Sequence, residues 1–263
     1  MKRSEYAAQM WTLLDKCESC LRHTAYMPGN MPDFSHFDNP KPAVSSNAPT
    51  KNNNNTSNNI QPVTATKPAT PETRQIIRIA TEISACRKCP IAAQTKNKVP
   101  GQGAIPAKIM VISFFTDDES EKTMYPMSGS ILDQFSKWLG AINIKLQDVY
   151  VTNLIKCNPH QSGINKDFVE NCLYHLDSEI KIIKPAVIMT LGSTVVSSLC
   201  QKYVDINTYH GQMLNYRGFQ VFPTFHPQDV LSNPYLRKPV WEDLQKFKAI
   251  YNQILSEPGI NFE

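Results

Sequence analysis

The chain has 263 residues, a net charge of +4, 41% hydrophobic and 19% charged residues. That is enough for one large domain plus an appendage with a sizeable core, and the small basic surplus permits a polyanionic partner without demanding one. No apolar run approaches the roughly 18 residues that span a bilayer, and Met1-Lys-Arg-Ser-Glu-Tyr6 lacks the apolar stretch of a secretory leader, so a cytoplasmic protein with no membrane partner is expected.

Residues 1 to 27 read as helical, with Tyr6, Met10, Leu13 and Leu14 at helical spacing. Between 28 and 71 come Pro28, Pro32, Pro40, Pro42, Pro49, Pro62, Pro68 and Pro71, with an asparagine-rich run from Asn52 to Asn59 among them. Such a stretch buries too little apolar surface to offset its chain entropy and reads as a disordered, flexible linker. The folded domain is expected over 72–263. There, Gln75 to Ala85 predicts a helix, Lys108 to Phe115 a strand buried on both faces, Ser130 to Leu139 a helix, and Asp148 to Lys156 a second strand. Lys166 to Lys184 is amphipathic, with Phe168, Val169, Cys172, Leu176, Ile180 and Ile183 on one face. Pro185 to Leu191 predicts a third strand, with Ser193 as N-cap of the next helix; Gly218 to Phe225 predicts a fourth strand and Pro239 to Leu255 the last helix. Strands alternating with helices predict an α/β protein, a three-layer α/β/α sandwich around a mainly parallel four-stranded sheet.

Seven cysteines, two pairs of them at CxxC spacing, favour metal or redox chemistry over a disulfide framework. Cys86-Arg-Lys-Cys89, Cys157 and Cys172 together can close a four-coordinate site. Spacing alone accepts zinc as readily as iron–sulfur. Cys17 and Cys20 lack further ligands apart from His23 and read as incidental thiols, and Cys200 reads as core. Ligands of open α/β sheets bind at the carboxyl ends of the strands. At those ends stand Thr116-Asp117-Asp118-Glu119, read as a loop, then Asn153, Gly192-Ser193 and Phe225-His226-Pro227. His160, His175 and His210 have no evident partners, His210-Gly211 reads as a turn, and Trp138 and Trp241 read as packing.

The segment from Cys86 to Leu255 resembles the family-4 uracil-DNA glycosylases. The resemblance is carried, in order, by Cys86-Arg-Lys-Cys89-Pro90, Ser128-Gly-Ser-Ile-Leu-Asp133, Val149-Tyr-Val-Thr-Asn-Leu-Ile-Lys-Cys157-Asn-Pro159, Cys172, Pro185-Ala-Val-Ile-Met-Thr-Leu-Gly192, His210-Gly211, Phe225-His-Pro227 and Trp241-Glu-Asp-Leu244. It implies that Cys86, Cys89, Cys157 and Cys172 hold a structural [4Fe–4S] cluster. It implies a monomer that acts on DNA containing uracil or a damaged base, in base-excision repair. Asn153 takes the position that reads the edge of the extruded pyrimidine, His226 the position that steadies the departing anion, and His226-Pro-Gln-Asp-Val-Leu231 the loop that presses into DNA.

Two words depart from the family. Where its first motif carries an acid that activates water, this chain has Phe114, which leaves Asp117 and Asp118 as candidate catalytic acids. The stacking segment reads Thr123-Met-Tyr-Pro-Met-Ser-Gly129, so that Tyr125, or by strict register Met124, lies against the base. The alternatives are a catalytically weak or inactive iron–sulfur DNA-binding relative, and a metal-stapled interaction module whose N-terminal helix recruits a protein partner.

Overall fold

The computed structural model describes residues 70–160 and 163–256, all within one compact unit, Ala69–Glu263. The helix expected over 1–27, the linker and the Cys17/Cys20 pair lie outside the described residues. The first helix, α1 (Pro71–Ser84), starts as its sequence dictates: Thr70 accepts from the Thr73 amide as N-cap, and Pro71 occupies the first turn, where its missing amide costs nothing. After the short α2 (Ile91–Gln94) come β1 (Gln102–Gly103), β2 (Ile109–Phe115), α3 (Asp118–Thr123), α4 (Gly129–Ala141) and β3 (Val149–Ile155). Then follow α5 (Lys166–Ile183), β4 (Val187–Leu191), α6 (Ser193–Cys200), α7 (Ile206–Tyr209), β5 (Leu214–Tyr216), β6 (Phe219–Thr224), α8 (Pro227–Ser232) and α9 (Arg237–Ser256).

The sheet runs β1-β3-β2-β4-β6-β5. Its four central strands are parallel, as the alternating pattern predicts, and two short antiparallel strands extend the edges. The edges escaped the sequence reading because β1 has two residues and β5 three. Arg217 and Gly218, both at positive φ (50° and 90°), make the tight turn that folds β5 onto β6. The run from Asp118 to Thr123 is helical rather than a loop, because the Asp117 carboxylate caps it by accepting from the Ser120 amide. Gly192, at φ 87°, is the N-cap of α6, not Ser193, whose hydroxyl instead donates to the Val204 carbonyl.

Ile109, Val149 and Val187 are register partners, so alternate residues from each share a face. On one face Ile109, Val111, Val149, Val151, Val187, Met189, Leu191 and Phe222 pack with Phe135, Trp138 and Leu139 of α4 and with Val240, Leu244 and Phe247 of α9. On the other, α5 lies against β3, and α1 against α5. The result is three layers. Trp138 is buried as expected, whereas Trp241 is 36% exposed on α9. The chain leaves β2 for β3 on one side and returns to β4 on the other, so the carboxyl end of β2 lies at the switch point where such sheets bind ligands.

Candidate active site and cysteine cluster

Asn153 near the end of β3 is fully buried. Its Nδ2 donates to the Pro126 carbonyl (2.8 Å) and to Thr116 Oγ1 (3.3 Å), while its Oδ1 is buried with no partner among the described residues. Both amide hydrogens are therefore engaged and the amide is pinned in one orientation. An acceptor held without a donor marks a place prepared for something outside the polypeptide.

Ser113 is the register partner of Asn153 across β2 and β3, and on the same face. Its Oγ lies 3.0 Å from His226 Nε2. His226 follows β6 and caps α8. Its Nδ1 accepts from the Gln228 amide (3.1 Å), and its own amide donates to Asp229 (3.3 Å), closing a capping box. A ring whose Nδ1 accepts must carry its hydrogen on Nε2 when neutral. Burial pushes the imidazole down to about 4, and the Asp117 charge opposes that pull. The side chain is thus a neutral Nε2–H donor at physiological pH, and Ser113 takes that hydrogen bond in this structure. Gly192 beside the histidine sits at φ 87°, a conformation that side chains rarely adopt, while a Cβ there would meet the His226 Cβ at an ordinary contact distance of 3.6 Å.

The two candidate acids diverge. Asp117 lies near enough to act on His226, and its Oδ1 is engaged by the Ser120 amide (2.7 Å) and Ser128 Oγ (3.1 Å). Asp118 turns to Asn158 Nδ2 (2.6 Å) and His160 (3.3 Å), and with Glu121 these form a separate cluster. Tyr125 packs against the core beside the site, and burial raises its pKa. The Met124 residue ends α3 at φ 56°, with its carbonyl accepting from Gln102 of β1. Phe114 is half-buried at the end of β2, edge-on to Phe115 (5.2 Å, 75°).

The cysteines gather beside this rim. Cys157 follows β3, Cys172 lies on α5, and Cys86 and Cys89 follow α1. Cys157 and Cys172 are buried and the other two half-buried, all as free thiols. Burial first, then the Cys172 charge, pushes the Cys157 thiol up to about 12; Cys172 is raised by burial and by Cys89 and Cys86. The four sulfurs are therefore electrostatic neighbours, too crowded to ionise together without a cation to hold them.

The Uracil DNA glycosylase superfamily matches this chain over residues 100–247. The chain belongs to that superfamily. A type-4 uracil-DNA glycosylase of Sulfurisphaera tokodaii is 31% identical over 185 residues, 66% of this chain and 83% of the relative. Type-4 enzymes of Saccharolobus solfataricus (32% over 182 residues, 65% and 83%) and Thermotoga maritima (31% over 181 residues, 66% and 94%) are similarly close. Membership of this superfamily makes the chain a DNA N-glycosylase by descent, and no described helix is long and apolar enough to cross a membrane.

Seen as a glycosylase, the chain has a side-chain network beside the histidine that sequence reasoning missed. His210 Nδ1 lies 2.8 Å from Asp243 Oδ1, and the other Asp243 oxygen accepts from Thr224 Oγ1 at 2.7 Å. The His210 ring packs on Phe225, 4.9 Å between centroids, one residue before His226. Gly211, at φ 67°, is forced: a Cβ there would stand 2.2 Å from Asp243 Oδ1. His210-Gly211 and the Asp of Trp241-Glu-Asp-Leu244 were both visible as words. Only their 33-residue separation hid that they touch.

Proposed function

We propose that this chain is a base-excision repair glycosylase that hydrolyses the N-glycosidic bond of uracil, or a related deaminated base, in DNA. The observation that carries the reading is the buried, unpartnered Asn153 Oδ1 beside the Ser113–His226 pair. A duplex hides the bond to be broken, so the base has to be swung out of the stack. With Nδ2 held by Pro126 and Thr116, Asn153 offers an acceptor only. Uracil brings an N3–H to it; cytosine brings a bare N3, and two facing acceptors in a dry site are rejected by their desolvation cost. As the base departs, charge grows on its oxygens. His226 then turns its Nε2–H from Ser113 to that oxygen, a preorganised donor that needs no change of protonation.

Asp117 is the acid we assign to orient the attacking water, since its charge reaches His226 while Asp118 is drawn to Asn158 and His160. Tyr125, whose segment supplies the Pro126 carbonyl, is the surface against which the base lies, with Met124 beside it. Leu231 and Tyr235, 42% and 43% exposed just beyond His226, suit the loop that enters DNA.

The cysteines suit a [4Fe–4S] cluster. The four are free thiols, two buried and two half-buried, and four soft thiolates with no hard oxygen donor among them are the ligand set such a cluster takes. When bound it supplies a cation charge that holds the thiolates, and it ties α1, β3 and α5 together rather than joining the hydrolysis, which transfers no electron.

A single-uracil oligonucleotide tests the reading. The protein should leave an alkali-labile abasic site, weakly on hypoxanthine and not on thymine, and Asn153→Ala and His226→Ala should not. Phe114 favours one other reading, a relative that grips uracil-DNA without releasing the base, because a phenyl ring cannot take a proton from water. Tight binding with no product, and cleavage gained by Phe114→Glu, would establish that reading instead.

A further inference from the structure

His175 sits on α5, one turn beyond Cys172. It is 3% exposed, and neither ring nitrogen has a partner among the described residues. Native proteins seldom leave such atoms bare, since each forfeited hydrogen bond costs stability. Its surroundings point to one place. The charges acting on the ring are Lys88, between Cys86 and Cys89, Lys156, directly before Cys157, Glu179 one turn further along α5, and Glu82 on α1. Tyr174 meets the ring edge-on (5.5 Å, 72°), and the Lys88 ammonium rests 3.8 Å from the Tyr174 centroid. Every element that carries one of the four cysteines thus contributes a neighbour. Burial, then Lys88 and Lys156, lowers its pKa, so the ring is neutral, with one N–H to give.

We propose that His175 donates this N–H to a sulfur, sulfide or thiolate, of the metal centre held by Cys86, Cys89, Cys157 and Cys172. The assignment rests on the iron–sulfur reading above. Such a bond draws electron density from the sulfur, closes the cluster to water on the α5 side and slows its oxidative loss.

The test uses the full chain purified anaerobically with its cluster. In wild type, Fe–S stretching frequencies should shift on transfer to D2O, and the visible absorbance should decay slowly in air. His175→Phe fills the same space without a donor. It should lose the deuterium shift and bleach several-fold faster, and His175→Gln, which restores an N–H, should recover part of both. A wild-type spectrum indifferent to D2O, or a His175→Phe cluster as long-lived as wild type, overturns the assignment and leaves a buried water as the partner, with the cofactor reading intact. Protein that carries zinc, or no iron and sulfide at all, overturns both.

Discussion

At the scale of single residues, His226 owes its chemistry to a helix cap. The Gln228 amide occupies Nδ1, so the proton stays on Nε2, and burial holds the ring near 4 rather than 6.5. As pH falls from 6.5 towards 4, an unfolded chain binds a proton here that the folded one refuses, so stability declines across that window and is complete above it. The Nε2–H donor proposed for catalysis, by contrast, persists throughout. We expect kcat/KM to stay level through the usual imidazole range and to drop only towards about 4, and His226→Ala to lose roughly 100- to 1,000-fold in kcat. A pH–rate profile with an acid limb at the ordinary histidine value would contradict the buried, capped ring. Asn153 and His226 were legible in the sequence because each is a polar break at the end of an apolar strand. Ser113 was not, since one small polar residue in such a run gains meaning only when strand register sets it beside Asn153, and Thr116 was visible at the strand end but not as a partner of the Asn153 amide. The same holds for Asp243, whose partners come from β6 and the segment before it.

At the scale of elements, α5 is bound to β3 by a buried charge pair. Glu179 accepts from Lys156 Nζ (2.6 Å), Thr152 Oγ1 (2.8 Å), the Gly101 amide (2.9 Å) and Tyr150 OH (3.3 Å), and the Lys156 and Glu179 side chains are 2% and 1% exposed. Burial, then the Glu179 charge, raises the Tyr150 pKa, so the phenol stays a donor. Removing one partner of such a pair strands the other, at a cost of about 3–5 kcal/mol. Glu179→Ala should lower the urea midpoint accordingly, whereas Glu179→Gln, which keeps the acceptor but not the charge, should still leave Lys156 unpaired and recover only part of the loss. An Ala variant as stable as wild type would show that Lys156 finds another partner. The strand and helix order was readable, since apolar runs of five to seven residues between helical stretches leave few alternatives. The edge strands and the capped α3 were not, being too short for any period to show.

For the whole molecule, the proposed cysteine centre would join segments that the chain brings together only late: the turn after α1, the end of β3 and the middle of α5. These segments also flank Asn153, four residues before Cys157, so the fold that positions the amide is the fold the proposed centre would staple. Free thiols crowded in low dielectric, one of them pushed up to about 12, repel a shared negative charge unless a cation compensates. Losing the centre therefore removes a cross-link and leaves buried sulfur in poor company at once. Cys157→Ala should release the cofactor and lower the melting temperature by roughly 10 °C, several kcal/mol for a domain of this size. The same change should follow from stripping the metal from the wild-type chain, measured by circular dichroism beside iron and sulfide content. If the variant melts like wild type and loses only base excision, the centre belongs to the chemistry and not to the scaffold.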